Sequence, residues 1–226
     1  GTTSPVGNVS WAPGNIYTNG TGGGVCPGNT IQAKNLYYPN VVLSQELATH
    51  NSNWRLASAD PVPSNVWQRG NVNWNPATRV LQVNYSELSL LGDEPYLLCK
   101  LVVTGGSKLK TQKTGAPTRI FFDSPEHCNG NTVPFVLNGG GTLQNNGFVP
   151  GFFMLGSPTV TNTIDFSGGG TVLNMVLYAP QTNVSASNGF RFDGALIAKD
   201  LNVVGGTNIN TNFDGSTYGI PTAPGP

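Results

Sequence analysis

The sequence predicts an all-β fold, a β-solenoid (β-helix) of about four to six coils with an irregular N-terminal cap. Three observations predict it. Charged residues make up only 10% of the chain, while Gly (30 residues) and Pro (17) are abundant; surface helices rely on Glu, Lys and Arg, so this balance favours strands and turns. Apolar residues alternate with period two, as in Val80-Leu81-Gln82-Val83 and around Ile164-Asp165-Phe166. Small-residue corners then recur on a longer spacing than hairpins need.

Taken in order, residues 1–75 read as an irregular cap. They hold all four tryptophans (Trp11, Trp54, Trp67, Trp74), the glycine run Gly20 to Gly24 and the Pro-rich Asp60-Pro61-Val62-Pro63-Ser64. Within them, Val42-Leu43-Ser44-Gln45-Glu46-Leu47-Ala48 is the one stretch suited to a helical turn, with Ser44 as its N-cap. Residues 76–215 read as the solenoid. Its corners are Gly105-Gly106-Ser107, Gly139-Gly140-Gly141, Gly168-Gly169-Gly170, Ser187-Asn188-Gly189 and Gly205-Gly206-Thr207, where Gly and Asn reach positive φ at little cost. Leu98, Ile120, Phe153, Val176 and Leu196 each begin or sit in an apolar run, at separations of 22, 33, 23 and 20 residues. A rung near that length with one longer insertion suits coils that cover one another's interiors; a sandwich, with strands every 8 to 12 residues or so, is the alternative. Residues 216–226 form a Pro/Gly-rich tail.

Eleven basic residues balance eleven acidic ones, and Lys108, Lys110 and Lys113 are the densest basic group. That is no basic face for phosphates, so nucleic acid is not an expected partner. The longest apolar runs, such as Phe152 to Leu155 and Met175 to Tyr178, are strand-sized, so no membrane span is expected here, and any anchor or signal segment is expected outside these residues. Of three cysteines, Cys99 and Cys128 form the favoured disulfide in a secreted-type composition, leaving Cys26 over; other pairings stay open. No CxxC or Cys/His spacing suggests zinc, and neither a metal nor a cofactor is expected. Asn-x-Ser/Thr sequons at Asn8, Asn19, Asn84 and Asn183 are of the kind that an Asn-rich chain produces by chance.

Candidate chemistry is sparse. Asp123-Ser124-Pro125-Glu126-His127 places two carboxylates and an imidazole together, a set able to bind a metal or exchange protons, although Asp-Ser-Pro is also a turn sequence. The second histidine, His50, is distant in sequence, and no Gly-x-Ser-x-Gly elbow accompanies either. Asp165, Asp193, Asp200 and Asp214 are the carboxylates that a carbohydrate-active β-helix enzyme would use, Asp193 and Asp214 at similar coil positions, but both precede Gly in turn sequences. Thr159, Thr161 and Thr163 alternate, with Thr207 and Thr211 further on, yet the pattern does not repeat from coil to coil as an ice-binding face would require. The aromatics Trp11, Tyr17, Tyr37, Tyr38, Trp54, Trp67 and Trp74 could stack on sugars, or staple the N-terminal segment over the open end of the solenoid.

Residues 173–184, centred on Tyr178-Ala179-Pro180, and residues 189–199, ending Gly194-Ala195-Leu196-Ile197-Ala198-Lys199, carry a resemblance. With Tyr96-Leu97-Leu98-Cys99-Lys100-Leu101, residues 119–128 and the lead-in Trp74-Asn75-Pro76, they resemble the bacterial β-helix domain of unknown function found in PilX-type pilus-assembly and cell-surface proteins, over about residues 74–214. The resemblance implies recurrence of both Cys99 and Cys128 and an extracellular, Gram-positive cell-envelope or pilus-associated protein, and it implies no reaction. The expectation is a non-catalytic structural or adhesive module, contacting a surface, a polysaccharide or neighbouring subunits. A self-assembling filament subunit and a polysaccharide lyase or hydrolase are the alternatives.

Overall fold

The computed structural model describes residues 16–18, 31–33, 41, 43–56, 67–92, 95–111, 116–145, 149–169, 172–205 and 208–210. These are mostly strand. The short strands β1 (Ile16–Thr18) and β2 (Ile31–Ala33) pair in parallel with each other. The helix α1 (Gln45–Thr49) is followed by a 3-10 turn, Ser52–Arg55. Then come β3 (Trp67–Asn75), β4 (Val80–Leu90), β5 (Tyr96–Leu98), β6 (Lys100–Thr104), β7 (Lys108–Thr111), β8 (Arg119–Phe122), β9 (Phe135–Leu137), β10 (Thr142–Asn145), β11 (Gly151–Met154), β12 (Asn162–Phe166), β13 (Val172–Ala186), β14 (Arg191–Val203) and β15 (Asn208–Asn210).

From β3 to β15 the strands form one sheet, parallel throughout except where β3 runs against β4. Parallel neighbours need a crossover of a dozen residues or more, normally a helix. Here the crossover is made of two further strands, and the pairings sort into three ladders. The first joins Val80 to Lys100, Val102 to Val136, Asp165 to Val136, Thr182 to Asn162 and Ser185 to Asn202. The second joins Leu88, Leu109, Leu143, Leu173, Phe192 and Ile209 in one unbroken row. The third joins Tyr96, Ile120, Phe152, Leu177 and Leu196. The chain visits the ladders in turn, and β13 and β14 are long because each bends through all three.

Period-two alternation decides what the first two ladders bury, whereas in the third β5 and β11 are buried on both faces. Leu81, Val83, Leu101, Val103, Phe135, Leu137, Ile164 and Phe166 point inward from the first ladder, the Leu88-to-Ile209 row from the second, and Tyr96, Leu98, Ile120, Phe122, Phe152 and Met154 from the third, all within one core. Each such side chain contributes roughly 1.5–3 kcal/mol by leaving water. Phe135 lies at the centre, with its ring 5.2 Å from Phe152, 5.9 Å from Phe122 and 5.4 Å from Phe166. The corners from first to second ladder are where glycine is required: Gly105, Gly106, Gly139, Gly140, Gly189 and Gly205 all have φ between 61° and 76°. They stack so closely that a Cβ on Gly139 would lie 3.2 Å from the Gly105 nitrogen.

Sequence and structure agree on the all-β class, the alternation and the glycine corners. Leu98, Ile120, Phe153, Val176 and Leu196 all fall in the third ladder. The Ser44 cap also forms, its Oγ accepting from the Leu47 amide at 3.1 Å. One expectation needs correction. Residues 67–75, read as irregular, form the regular strand β3 because Asn75 caps the Pro76-Ala77-Thr78 turn, accepting from the Ala77 and Thr78 amides, and returns the chain antiparallel along β4. Half-buried Val72 and Trp74 pack on the core between exposed Asn71, Asn73 and Asn75. β3 therefore covers the free edge of β4. The 3-10 turn at Ser52–Arg55 covers that of β5, where Asn53 bonds both the Leu97 carbonyl (2.6 Å) and the Leu97 amide (3.0 Å). Cys26 and residues 216–226 lie outside the described residues.

Candidate functional site

The densest polar cluster lies at the corner between β8 and β9, where the chain leaves the third ladder for the first. Asp123 directly follows β8, and Pro125 at the start of a 3-10 turn (Pro125–His127) brings His127 back over it. Asp123 is 3% exposed, and its carboxylate is satisfied on three sides. Oδ1 accepts from the Ser124 amide at 2.8 Å and from His127 Nδ1 at 3.0 Å; Oδ2 meets Arg79 Nη1 at 2.9 Å. A carboxylate only accepts, so Nδ1 carries the hydrogen of the His127 contact. Arg79 sits at the turn before β4 with φ 52°, and its Nη2 donates to the His127 carbonyl at 3.0 Å. The Cys99–Cys128 disulfide closes the same corner, with Cys99 and Cys128 3% and 5% exposed. The Cys99 amide donates to the Arg79 carbonyl at 2.9 Å, and Asn131 Nδ2 donates to the Cys99 carbonyl at 2.9 Å.

Glu126 faces the other way. Its carboxylate accepts from the Ser157 and Thr159 hydroxyls. The Ser157 bond foremost, then the Glu126 backbone amide and the Ser124 hydroxyl, with Thr159 adding least, hold its pKa down to about 2 from an ordinary 4.5. The two carboxylates of the Asp-Ser-Pro-Glu-His motif thus do not converge. Among the described residues no group of three or more His, Cys, Asp and Glu could hold a metal. Among the described residues no hydroxyl or thiol is bonded to His127 Nε2.

The other expected residues are dispersed. His50 caps the C-terminal end of α1, its Nδ1 3.0 Å from the Thr49 Oγ1. Asp193 pairs with Arg191 at 2.8 Å on β14, Asp165 projects from β12, Asp200 is exposed, and Asp214 lies outside the described residues. Thr161 accepts from Lys199 at 3.3 Å while Thr159 serves Glu126, so the threonine run is divided between unrelated partners; Thr163 lies in β12, and Thr207 and Thr211 lie outside the described residues. Trp54 is 54% exposed on the first 3-10 turn, with the Arg55 guanidinium 5.0 Å from its ring, whereas Trp74 packs on the core from β3. Trp67 lies in β3 and Tyr17 in β1; Trp11, Tyr37 and Tyr38 lie outside the described residues. Sequence reasoning missed Arg79 and the Ser157–Thr159 clamp. A signal for Arg79 existed: it precedes Val80-Leu81 as Cys99 precedes Lys100-Leu101, and those pairs are in register.

Residues 100–219 match the family described as a domain of unknown function, DUF7305. The chain belongs to this family. No curated protein and no solved structure matches it. The DUF7305 match opens at β6 and takes in Asp123, His127 and Cys128, while Arg79 and Cys99 fall just before it. The brace and the disulfide therefore tie the matched residues to β4 and the turn ahead of it, so the folded unit extends N-terminal to the match.

Proposed function

We propose that this DUF7305 protein is a non-catalytic structural or adhesive module of an extracellular surface, a cell envelope or pilus, built as a β-solenoid. The observation that carries the reading is the commitment of the Asp123 cluster. The one constellation in the described residues with the makings of acid–base chemistry is consumed in bracing a corner, and a disulfide 3–5% exposed reinforces it. Buried disulfides persist in oxidising compartments and stabilise chains held outside the cell. Three parallel ladders visited in rotation support the solenoid, and the resemblance to cell-surface and pilus-assembly domains supports the setting. Sugars, a surface or neighbouring subunits are the partners this reading allows.

The test is fractionation of the expressing cells with non-reducing peptide mapping. The reading expects the chain in the envelope or medium with Cys99 joined to Cys128; a cytosolic pool with both thiols free overturns it.

A second reading, assembly into a filament, is favoured by the last rung. Asp200–Val203 pairs on one side only among the described residues, and Leu201 (47%) and Val204 (38%) are exposed beside it. Such an edge is a template for strand addition. Light scattering that rises with concentration supports assembly, and a concentration-independent monomer excludes it.

A further inference from the structure

We propose that Asn84 is a glycan attachment site, and that among the described sequons it alone is presented for modification. The inference rests on the extracellular reading above, since glycan transfer takes place on the outer side of a membrane. It starts from the corner at which β4 passes from the first ladder to the second. Later turns make this corner with glycine; here Asn84-Tyr85-Ser86 makes it instead, with Tyr85 at φ 48° and 76% exposed. The pairing with β3 slips at the same place, from Asn71 opposite Asn84 to Arg69 opposite Glu87, so the corner bulges away from the sheet. Tyr85 lies over Gly105, whose added Cβ would come within 2.7 Å of the ring, so the bulge is propped rather than folded in.

The sequon's chemistry is poised on this bulge. Asn84 is exposed, and its Oδ1 accepts from the Thr104 hydroxyl at 2.9 Å, which fixes the carboxamide and leaves Nδ2 without a partner among the described residues. Ser86 Oγ donates to the Asn84 backbone carbonyl at 2.7 Å, which holds the sequon's hydroxyl on the same turn as Asn84. Asn183-Val184-Ser185 is the contrast. Asn183 is half-buried within β13, opposite Thr163 on one side and Asp200 on the other, with Oδ1 out of contact with water. That sequon therefore lies inside a strand paired on both sides and not on a turn. Asn8 and Asn19 lie outside the described residues.

The donor is an oligosaccharide carried on a polyisoprenol phosphate or pyrophosphate, and a membrane-bound transferase supplies the base. Asn84 Nδ2 attacks the anomeric carbon, the carbon–oxygen bond to phosphate breaks, and a carbon–nitrogen bond forms. One amide proton passes to the base, and the lipid phosphate leaves with the bonding pair. No electrons are exchanged with an oxidant or reductant.

The experiment is tandem mass spectrometry of peptides from the full chain, isolated from the cells that express it, run beside the fractionation described above. Expected is a sugar-bearing Asn84 peptide next to an unmodified Asn183 peptide, with complete loss of the modified form in Asn84→Gln and Ser86→Ala and its return in Ser86→Thr. A chain found outside the cell with Asn84 bare, or with sugar on Asn183 instead, overturns the proposal while leaving the location intact. A chain found inside overturns both.

Discussion

Replacing Asp123 by Asn tests whether the β8–β9 corner is a brace. Asn is nearly isosteric and keeps a carbonyl to accept from the Ser124 amide at 2.8 Å. It removes the charge that faces Arg79 and His127, and it points an NH2 group at one of two donors. A hydrogen bond to a charged group contributes about 1.5–3 kcal/mol, and breaking one side of a buried ion pair costs about 3–5 kcal/mol. The Arg79 and His127 side chains are 24% and 60% exposed, so water screens both. A loss of about 2–3 kcal/mol is therefore expected. For a chain of this size that lowers Tm by about 5–10 °C. Thermal melts of the wild type, Asp123→Asn, Arg79→Met and the double variant, followed by far-UV circular dichroism at neutral pH, read it out. The double variant should fall by less than the sum of the two single losses, because the Arg79–Asp123 contact is counted in both, while the Arg79 bond to the His127 carbonyl is lost only with Arg79. An Asp123→Asn protein melting within about 1 °C of wild type refutes the brace and turns the buried Asp–His pair back into a candidate for chemistry.

Four further outcomes follow from the same structure. Phe135→Ala removes the ring that touches Phe122, Phe152 and Phe166, and should cost about 3–5 kcal/mol in denaturant titration. Gly194→Ala should prevent accumulation of soluble protein, because its φ is 151° and the new Cβ would lie 1.9 Å from the Met175 carbonyl oxygen; Gly106→Ala, with nothing within 4 Å, should cost only the left-handed backbone, about 1–2 kcal/mol. Glu126 has a folded pKa near 2, below its ordinary 4.5, so its contribution is present above pH 4.5 and is lost as pH falls toward 2; the stability gap between wild type and Glu126→Gln should close over that window in urea titrations at stepped pH.

The fold was legible where it depends on local chemistry. Alternation in Val80 to Val83 marks a strand with one buried face, and Gly139-Gly140-Gly141 marks a bend that side chains would block. β3 was not legible, because Asn71, Asn73 and Asn75 around Val72 and Trp74 dilute the apolar signal of an edge strand that buries only one side. At the candidate site the disulfide could be favoured from cysteine number and composition. The pairing of Arg79 with Asp123 could not, because it depends on residues far apart in sequence stacking through the register of successive ladders. The direction in which Glu126 turns was hidden for the same reason: its partners Ser157 and Thr159 belong to the next turn of the chain.

The leucine row of the second ladder has a mechanical consequence. Leu109, Leu143 and Leu173 each pair with the member of the row before and the member after, and Leu88 begins the row against Leu109, so cohesion passes between adjacent rungs and not across the whole molecule. The first rung is locked by β3, by Asn53 and by the disulfide-braced corner, whereas among the described residues Asp200–Val203 is held from one side only. Opening should therefore be directional. Amide hydrogen exchange is expected to be fastest in β14 and β15 and slowest in β4 to β8, and a pulling force applied at the C-terminal end should peel rungs off in sequence until it reaches Cys128, where the covalent link stops it.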